Sequence, residues 1–240
     1  YNLPGVTSLR LTPELLEGIF LGTISKWNDK KIADVNPGVS LPDMNITIVY
    51  RSDGSGTTYI FSDYMSKVSP LWKEKLGTGK SLNWSTGIGA KGNPGVAGTI
   101  SQSPGTIGYL GFEYAFAQKI PMAQVMNSSG RFIEPALASF TAAADVEIPA
   151  DTRIMITNSS NPDAYPITSF TWIIMYREQN YAGRTREAAQ ATVSTVKWLT
   201  GATAQAIATS VHYAPLPQQA VERATMLLKG ITYDKEAILK

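Results

Sequence analysis

The stretch NITIVYRSDGSGTTYIFSDYMSKV, residues 45–68, constrains the fold more than any other part of the chain. Its first six residues alternate β-formers and apolar side chains and predict a buried strand over 45–50. Ile60, Phe61, Tyr64, Met65 and Val68 then recur at helical spacing, which predicts a helix over about 57–67. Only a short Gly/Ser/Asp turn separates the two. A strand that feeds directly into an amphipathic helix has to be covered by it, which points to an α/β arrangement.

That turn also has a chemistry. A helix start presents unpaired backbone N–H groups and the positive end of the helix dipole, and both attract an anion. Gly54 and Gly56 let the backbone approach a ligand closely. Ser55, Thr57 and Thr58 add hydroxyl donors, and Arg51 can grip a tetrahedral oxyanion through two parallel N–H groups. Asp53 attracts no anion; its place is to orient Arg51 and temper its charge. A plainer reading stands beside this one: Asp53 or Ser55 only caps the helix and Arg51 lies in solvent.

The rest of the chain alternates in the same way. LTPELLEGIFLG, residues 11–22, predicts a helix capped by Thr12, with Pro13 at its first position. GIGAKGNPGVAG predicts a glycine loop and a second helix, with Asn93 as cap and Pro94 first. Further strands are predicted at 104–112, in TRIMIT (152–157) and at 166–176, the last being the strongest strand pattern of the C-terminal part. Further helices are predicted near 113–118, 134–143, 184–199, 202–209 and 217–228. A chain of 240 residues with 43% hydrophobic content makes one large domain or two small lobes.

Several function classes lose support. A net charge of +2 without a basic run gives no case for nucleic acid. With no cysteine there is no disulfide or thiol nucleophile, and His212, the one histidine, cannot make a histidine-rich metal site. No metal, cofactor or catalytic residue is expected. GTGKS, residues 77–81, imitates the end of a nucleotide-binding loop, but Glu74 stands where its first glycine belongs and the preceding segment is helical. Ser55 has Asp53 and Thr57 where a nucleophile elbow needs glycines. TGIGAKGNPG, residues 86–95, is a second possible anion cradle, although a tight connection capping the next helix explains it as well.

Beyond these local signals, the block GTISKWNDKKIADVNPGVSLPDMNITIVYRSDGSGTTYIFSDYMSKV resembles the high-affinity phosphate-binding proteins of bacterial phosphate ABC transporters. LNWSTGIGAKGNPGVAG, SPGTIGYLGFEYA, AYPITSFTWIIMY and HYAPLP agree with that family in the same order. The resemblance implies an α/β, two-lobed periplasmic-binding-protein fold of the type II kind, with phosphate held in the cleft between lobes. Arg51, Ser55, Gly56 and Thr57 match the family's phosphate-contacting positions, and Asp53 matches the acid that pairs with the arginine. Family members carry a further segment ahead of the point where this sequence opens. By that comparison residues 1–165 correspond to the second lobe and 166–240 to the returning part of the first, which is incomplete in this chain.

The implied partners are therefore inorganic phosphate, an ABC-transporter permease, and the N-terminal segment of the same protein or a complementing chain. The implied location is periplasmic or extracytoplasmic, with a lipidated N-terminus outside this sequence as one means of anchoring. The 240 residues alone are expected to bind phosphate weakly or not at all, and to leave apolar side chains of 166–176 uncovered. Two readings from other classes stay open: a phosphate-ester hydrolase, and an adhesion or sensor protein that reuses the fold without binding phosphate.

Overall fold

The computed structural model describes residues 1–239. In chain order the elements are β1 (Arg10–Leu11), α1 (Pro13–Phe20), α2 (Lys30–Val35), β2 (Thr47–Arg51), α3 (Gly56–Val68), α4 (Pro70–Lys75), β3 (Ile88–Ala90), α5 (Gly92–Gln102) and β4 (Thr106–Gly108). They continue as α6 (Phe112–Ala117), β5 (Gln124–Met126), β6 (Phe132–Ile133) and α7 (Leu137–Ala143). The C-terminal part contributes α8 (Arg186–Leu199), α9 (Ala202–Ser210), α10 (Gln218–Lys229), β7 (Thr232–Tyr233) and β8 (Glu236–Ala237).

The sheet that positions the site is β3-β2-β4, parallel throughout. Parallel neighbours require helical crossovers, and α3 with α4, then α5, supply them. Because β2 and β3 run the same way, with Arg51 opposite Ala90, the turns that follow them emerge side by side at the carboxyl edge. That edge is where open α/β sheets place ligands. A second sheet, β1-β5-β6, and the hairpin β7-β8 follow, with isolated bridges at Lys26–Asn45 and Glu178–Thr232.

The largest core cluster joins α1, α3 and both three-stranded sheets through Leu11, Ile19, Ile48, Phe61, Tyr64 and Ile107, each nearly or wholly removed from water. A smaller, separate cluster unites Ala189 and Val193 of α8 with Leu228, Ile231 and Ile238. The expected caps form at two helices. Thr12 accepts from the Leu15 N–H at 3.3 Å with Pro13 in the first turn, and Ser55 accepts from the Thr58 N–H at 3.1 Å.

Four expectations need correction. Asn93 does not cap α5; the helix begins at Gly92, two residues before Pro94, and the Asn93 oxygen is engaged by Arg51 instead. The strand expected over 104–112 shrinks to Thr106–Gly108, because Gly105 turns at φ +84° and Gly111 already opens α6. TRIMIT forms no ladder. The Ile154 N–H bonds back to the Thr152 carbonyl, and Lys67 of α3 donates to the Met155 and Thr157 carbonyls.

Residues 166–176 likewise pair with no strand among the described residues. A strand is defined by its neighbour's hydrogen bonds, and a β-rich pattern cannot supply the neighbour. The segment leaves Ile174 93% and Tyr176 70% exposed.

Candidate functional site

Arg51 is the last residue of β2, and its guanidinium is tied down on two sides. Nε donates to Asp53 Oδ1 at 2.8 Å and Nη2 donates to Asp53 Oδ2 at 2.6 Å, a two-point pairing. Nη1 donates to the side-chain oxygen of Asn93 at 3.0 Å. A guanidinium carries five N–H groups. Three are spent on protein partners, which leaves one on each terminal nitrogen. The Arg51 side chain is 12% exposed, so these donors sit in a recess and do not wave in solvent.

Asp53 works in two directions. Besides Arg51, its Oδ1 accepts the Gly92 N–H at 3.0 Å, which locks the β2–α3 turn to the β3–α5 turn. Gly92 presents that N–H from a backbone at φ +68°, a conformation glycine adopts without strain. The Arg51 hydrogen bonds, and after them the Gly92 N–H, hold the Asp53 carboxyl well below the usual carboxylate range. The same pairing raises Arg51 further against the opposing effect of burial. A depressed carboxyl contributes stability above its unfolded pKa, about 3.9. That contribution fades as pH falls toward the folded value. From pH 5 upward the pair therefore keeps both charges.

The helix start supplies the remaining donors. Ser55 is the N-cap, and its oxygen takes the Thr58 N–H. Its own hydroxyl hydrogen stays available, since a hydroxyl that accepts can still donate. The plain capping reading of Ser55 is thus true and does not exclude the ligand reading; the reading that leaves Arg51 in solvent does not hold. The N–H groups of Gly56 and Thr57 have no partner among the described residues. A Cβ built on Gly56 meets nothing within 4 Å, so the space above the turn is open. The Thr57 hydroxyl lies 3.4 Å from the Asn93 oxygen. Asn93 therefore links the two halves of the turn, meeting both the Arg51 guanidinium and the Thr57 hydroxyl, while Asp53 holds the other side of the arginine.

An aromatic layer seats this turn. The Tyr109 ring stacks on Phe61 at 4.6 Å with planes 7° apart. Its hydroxyl shares a hydrogen bond with Thr58 Oγ1 at 2.8 Å and accepts the Arg51 backbone N–H at 3.3 Å. Burial pushes the Tyr109 hydroxyl up, so it stays protonated.

The other sequence signals resolve differently. GTGKS folds back on α3: the Lys80 carbonyl takes the Ser55 N–H at 2.9 Å, and it follows a helix, not a strand. In the loop 86–95, Gly92 and Asn93 both serve the Arg51–Asp53 pair. His212 stands at φ +67° with its ring 4.1 Å from Phe116, away from the turn. Among the described residues no group of three or more His, Asp or Glu could hold a metal. A hollow of about 160 Å³ in the core is lined by apolar and aromatic side chains, Leu11, Leu16, Phe20, Phe61 and Tyr109 among them, and suits no anion. Asn93 is the site residue that sequence reading placed wrongly. Its partner is 42 residues away, and a short polar side chain near a helix start looks like a cap.

A parallel sheet with a helix start of unpartnered N–H groups at its carboxyl edge is the arrangement on which α/β proteins commonly hold ligands, and the model of the PBP superfamily domain matches residues 1–206. The chain belongs to that superfamily. More particularly, it is 45% identical over 220 residues to the phosphate-binding protein PstS of Xylella fastidiosa (strain 9a5c), covering 90% of this chain and 58% of that protein. It is 36% identical over 217 residues to the phosphate-binding protein PstS of Methanocaldococcus jannaschii, covering 83% of this chain and 56% of that one. The chain thus spans somewhat more than half the length of these curated relatives.

Among solved structures, a human phosphate binding apolipoprotein aligns with TM-score 0.70 at 19% identity, covering 99% of this chain and 71% of that one. A phosphate-binding protein from Stenotrophomonas maltophilia aligns with TM-score 0.65 at 17% identity, covering 99% and 69%. At such identities the likeness concerns the fold.

Proposed function

We propose that this chain carries one jaw of a phosphate clamp in an extracytoplasmic solute-binding protein that hands inorganic phosphate to an ABC-transporter permease. The observation that carries the reading is that Arg51 keeps two spare N–H groups and the Gly56 and Thr57 amides are unpartnered on the same turn, with Asn93 meeting both Arg51 and Thr57. Such a cluster satisfies several oxygens of one tetrahedral anion at once. The names of the curated relatives support phosphate as that anion. The protein works by binding and release, without a chemical step, in the periplasm or its extracytoplasmic equivalent.

In this reading residues 1–165 form one lobe and 166–240 the returning part of the other. A further segment, of the same protein or of a complementing chain, covers 166–176 and brings the opposing ligands. The exposed Ile174 and Tyr176 support a missing cover at that place. Selectivity for protonated phosphate over sulfate needs a carboxylate acceptor. Asp53 is committed to Arg51 and Gly92, so that acceptor belongs to the opposing segment.

Calorimetric titration with phosphate, run beside a chromogenic phosphate ester, tests the function. One phosphate bound per protein without ester turnover is the expected result; no binding by the complete protein, or steady turnover, overturns it. The 240 residues alone should bind more weakly than the complete protein. Between pH 5 and 8 the affinity should follow the ionisation of phosphate itself, because the Asp53 carboxyl stays charged throughout.

A third result separates function from folding. Gly56→Ala meets open space at a helical position of ordinary φ, so melting temperature should hold or rise slightly. The added methyl occupies the space an anion needs, and affinity should fall about tenfold, the effect of roughly 1.4 kcal/mol. An unchanged titration would place the ligand elsewhere.

A further inference from the structure

Asn93 stands where the two turns meet. Its side-chain oxygen accepts from Arg51 Nη1 at 3.0 Å and lies 3.4 Å from the Thr57 hydroxyl. The amide cannot be turned the other way round, because the guanidinium offers only donors and the amide nitrogen is a donor too. The oxygen is therefore the group that faces Arg51.

Two consequences follow from its chemistry. Asp53 fixes the Nε and Nη2 side of the guanidinium, and Asn93 fixes Nη1 beyond it. The plane is held from both sides, so the two spare hydrogens keep one direction before any ligand arrives. Preorganisation of this kind lowers the cost of binding. Asn93 also provides this support without charge. Asp53 already balances Arg51, and a second carboxylate at the same place would make the trio net negative beside an anion. The 3.4 Å approach to the Thr57 hydroxyl is at the long end for a hydrogen bond, so that hydroxyl is readily given up to a ligand.

We propose that Asn93 is a positioning residue of the phosphate site: its neutral amide oxygen holds the Arg51 fork and parks the Thr57 hydroxyl while keeping the turn attractive to a doubly charged anion. This rests on the phosphate reading of the turn. Nothing in the family match or the relatives' names assigns such a role, and in the sequence Asn93 reads as a helix cap.

The test uses inorganic phosphate and the complete protein, with Asn93→Ala and Asn93→Asp. The alanine variant removes the acceptor and should weaken binding about tenfold, in line with loss of one hydrogen bond to a charged group. The aspartate variant keeps both shape and acceptor but adds charge. It should weaken binding more, about a hundredfold, because it sets a like charge directly beside the ligand. Its affinity should also fall more steeply than wild type as pH rises from 6 to 8 and phosphate gains its second charge. A purely structural role predicts the reverse order, with aspartate tolerated and alanine harmful, and that order overturns the proposal. Nitrogen-15 NMR of the Arg51 side chain without ligand supplies a second readout: guanidinium rotation should speed up in Asn93→Ala. Unchanged rotation also overturns the proposal. If wild type binds phosphate and both variants titrate like it, this inference fails and the function stands. If wild type itself binds none, the function fails and takes the inference with it.

Discussion

Replacing Arg51 by alanine should lower the phosphate affinity of the complete protein by about a hundred- to a thousandfold. Two losses combine. The anion loses charge-assisted bonds from the spare N–H groups, roughly 1.5–3 kcal/mol each for hydrogen bonds to charged groups. Asp53 then keeps its carboxylate, with the Gly92 N–H still on it, and faces the anion without its counter-charge. At about 1.4 kcal/mol per decade, a loss of roughly 3–4 kcal/mol gives the stated range. Arg51→Lys should recover little. An ammonium is a point charge and cannot serve both Asp53 oxygens, the Asn93 oxygen and a ligand in one plane. Arg51→Ala with Asp53→Asn should bind better than Arg51→Ala alone, because the second change removes the stranded charge. Calorimetry measures all of these, with melting temperature as the control for folding. An Arg51→Ala protein within threefold of wild type would remove the arginine from the site.

The contrast between Arg51 and Asn93 shows what this sequence makes legible. The β2–α3 turn could be read because everything it needs is local: a strand period, a serine that caps its own helix, and glycines within two residues. Asp53 could be paired with Arg51 for the same reason, being two residues away. Asn93 could not, because its role exists only after β3 lies beside β2 in the register Arg51–Ala90. The C-terminal part repeats this lesson at the scale of elements. Helices α8, α9 and α10 were visible because a helix bonds to itself. The pattern at 166–176 is as strand-like as that of β2, yet it has no ladder among the described residues, since a strand's hydrogen bonds belong to another segment. The resemblance to phosphate-binding proteins suggested phosphate; the geometry shows the free donors on which that proposal rests.

Phe61→Ala should have the opposite profile, with a large loss of stability and a small loss of affinity. Phe61 is 2% exposed on the inner face of α3. Its ring lies 4.6 Å from Phe20, 4.6 Å from Tyr109 and 5.7 Å edge-on from Trp72, so it is the centre of the layer beneath the β2–α3 turn. Truncating a buried phenylalanine costs about 3–5 kcal/mol, because the transfer energy is lost and a cavity remains. In a chain of this size that corresponds to a fall of roughly 6–20 °C in melting temperature. Stability totals of about 5–15 kcal/mol leave most of the protein folded at low temperature, so its binding can still be measured. There the Arg51–Asp53 pair and the Gly56 and Thr57 amides remain, and only the footing of Tyr109 loosens. Affinity should therefore drop by less than about tenfold, one decade being 1.4 kcal/mol. Phe61→Leu, which refills most of the volume, should recover more than half of the lost stability. Denaturant unfolding measures the first effect and calorimetry the second. A stability loss under about 1 kcal/mol, well short of what a buried ring costs, would mean that α3 is not seated through Phe61. A loss of affinity as large as that of Arg51→Ala would mean that the turn's donors depend on the aromatic layer for their direction, and not on Asp53 and Asn93.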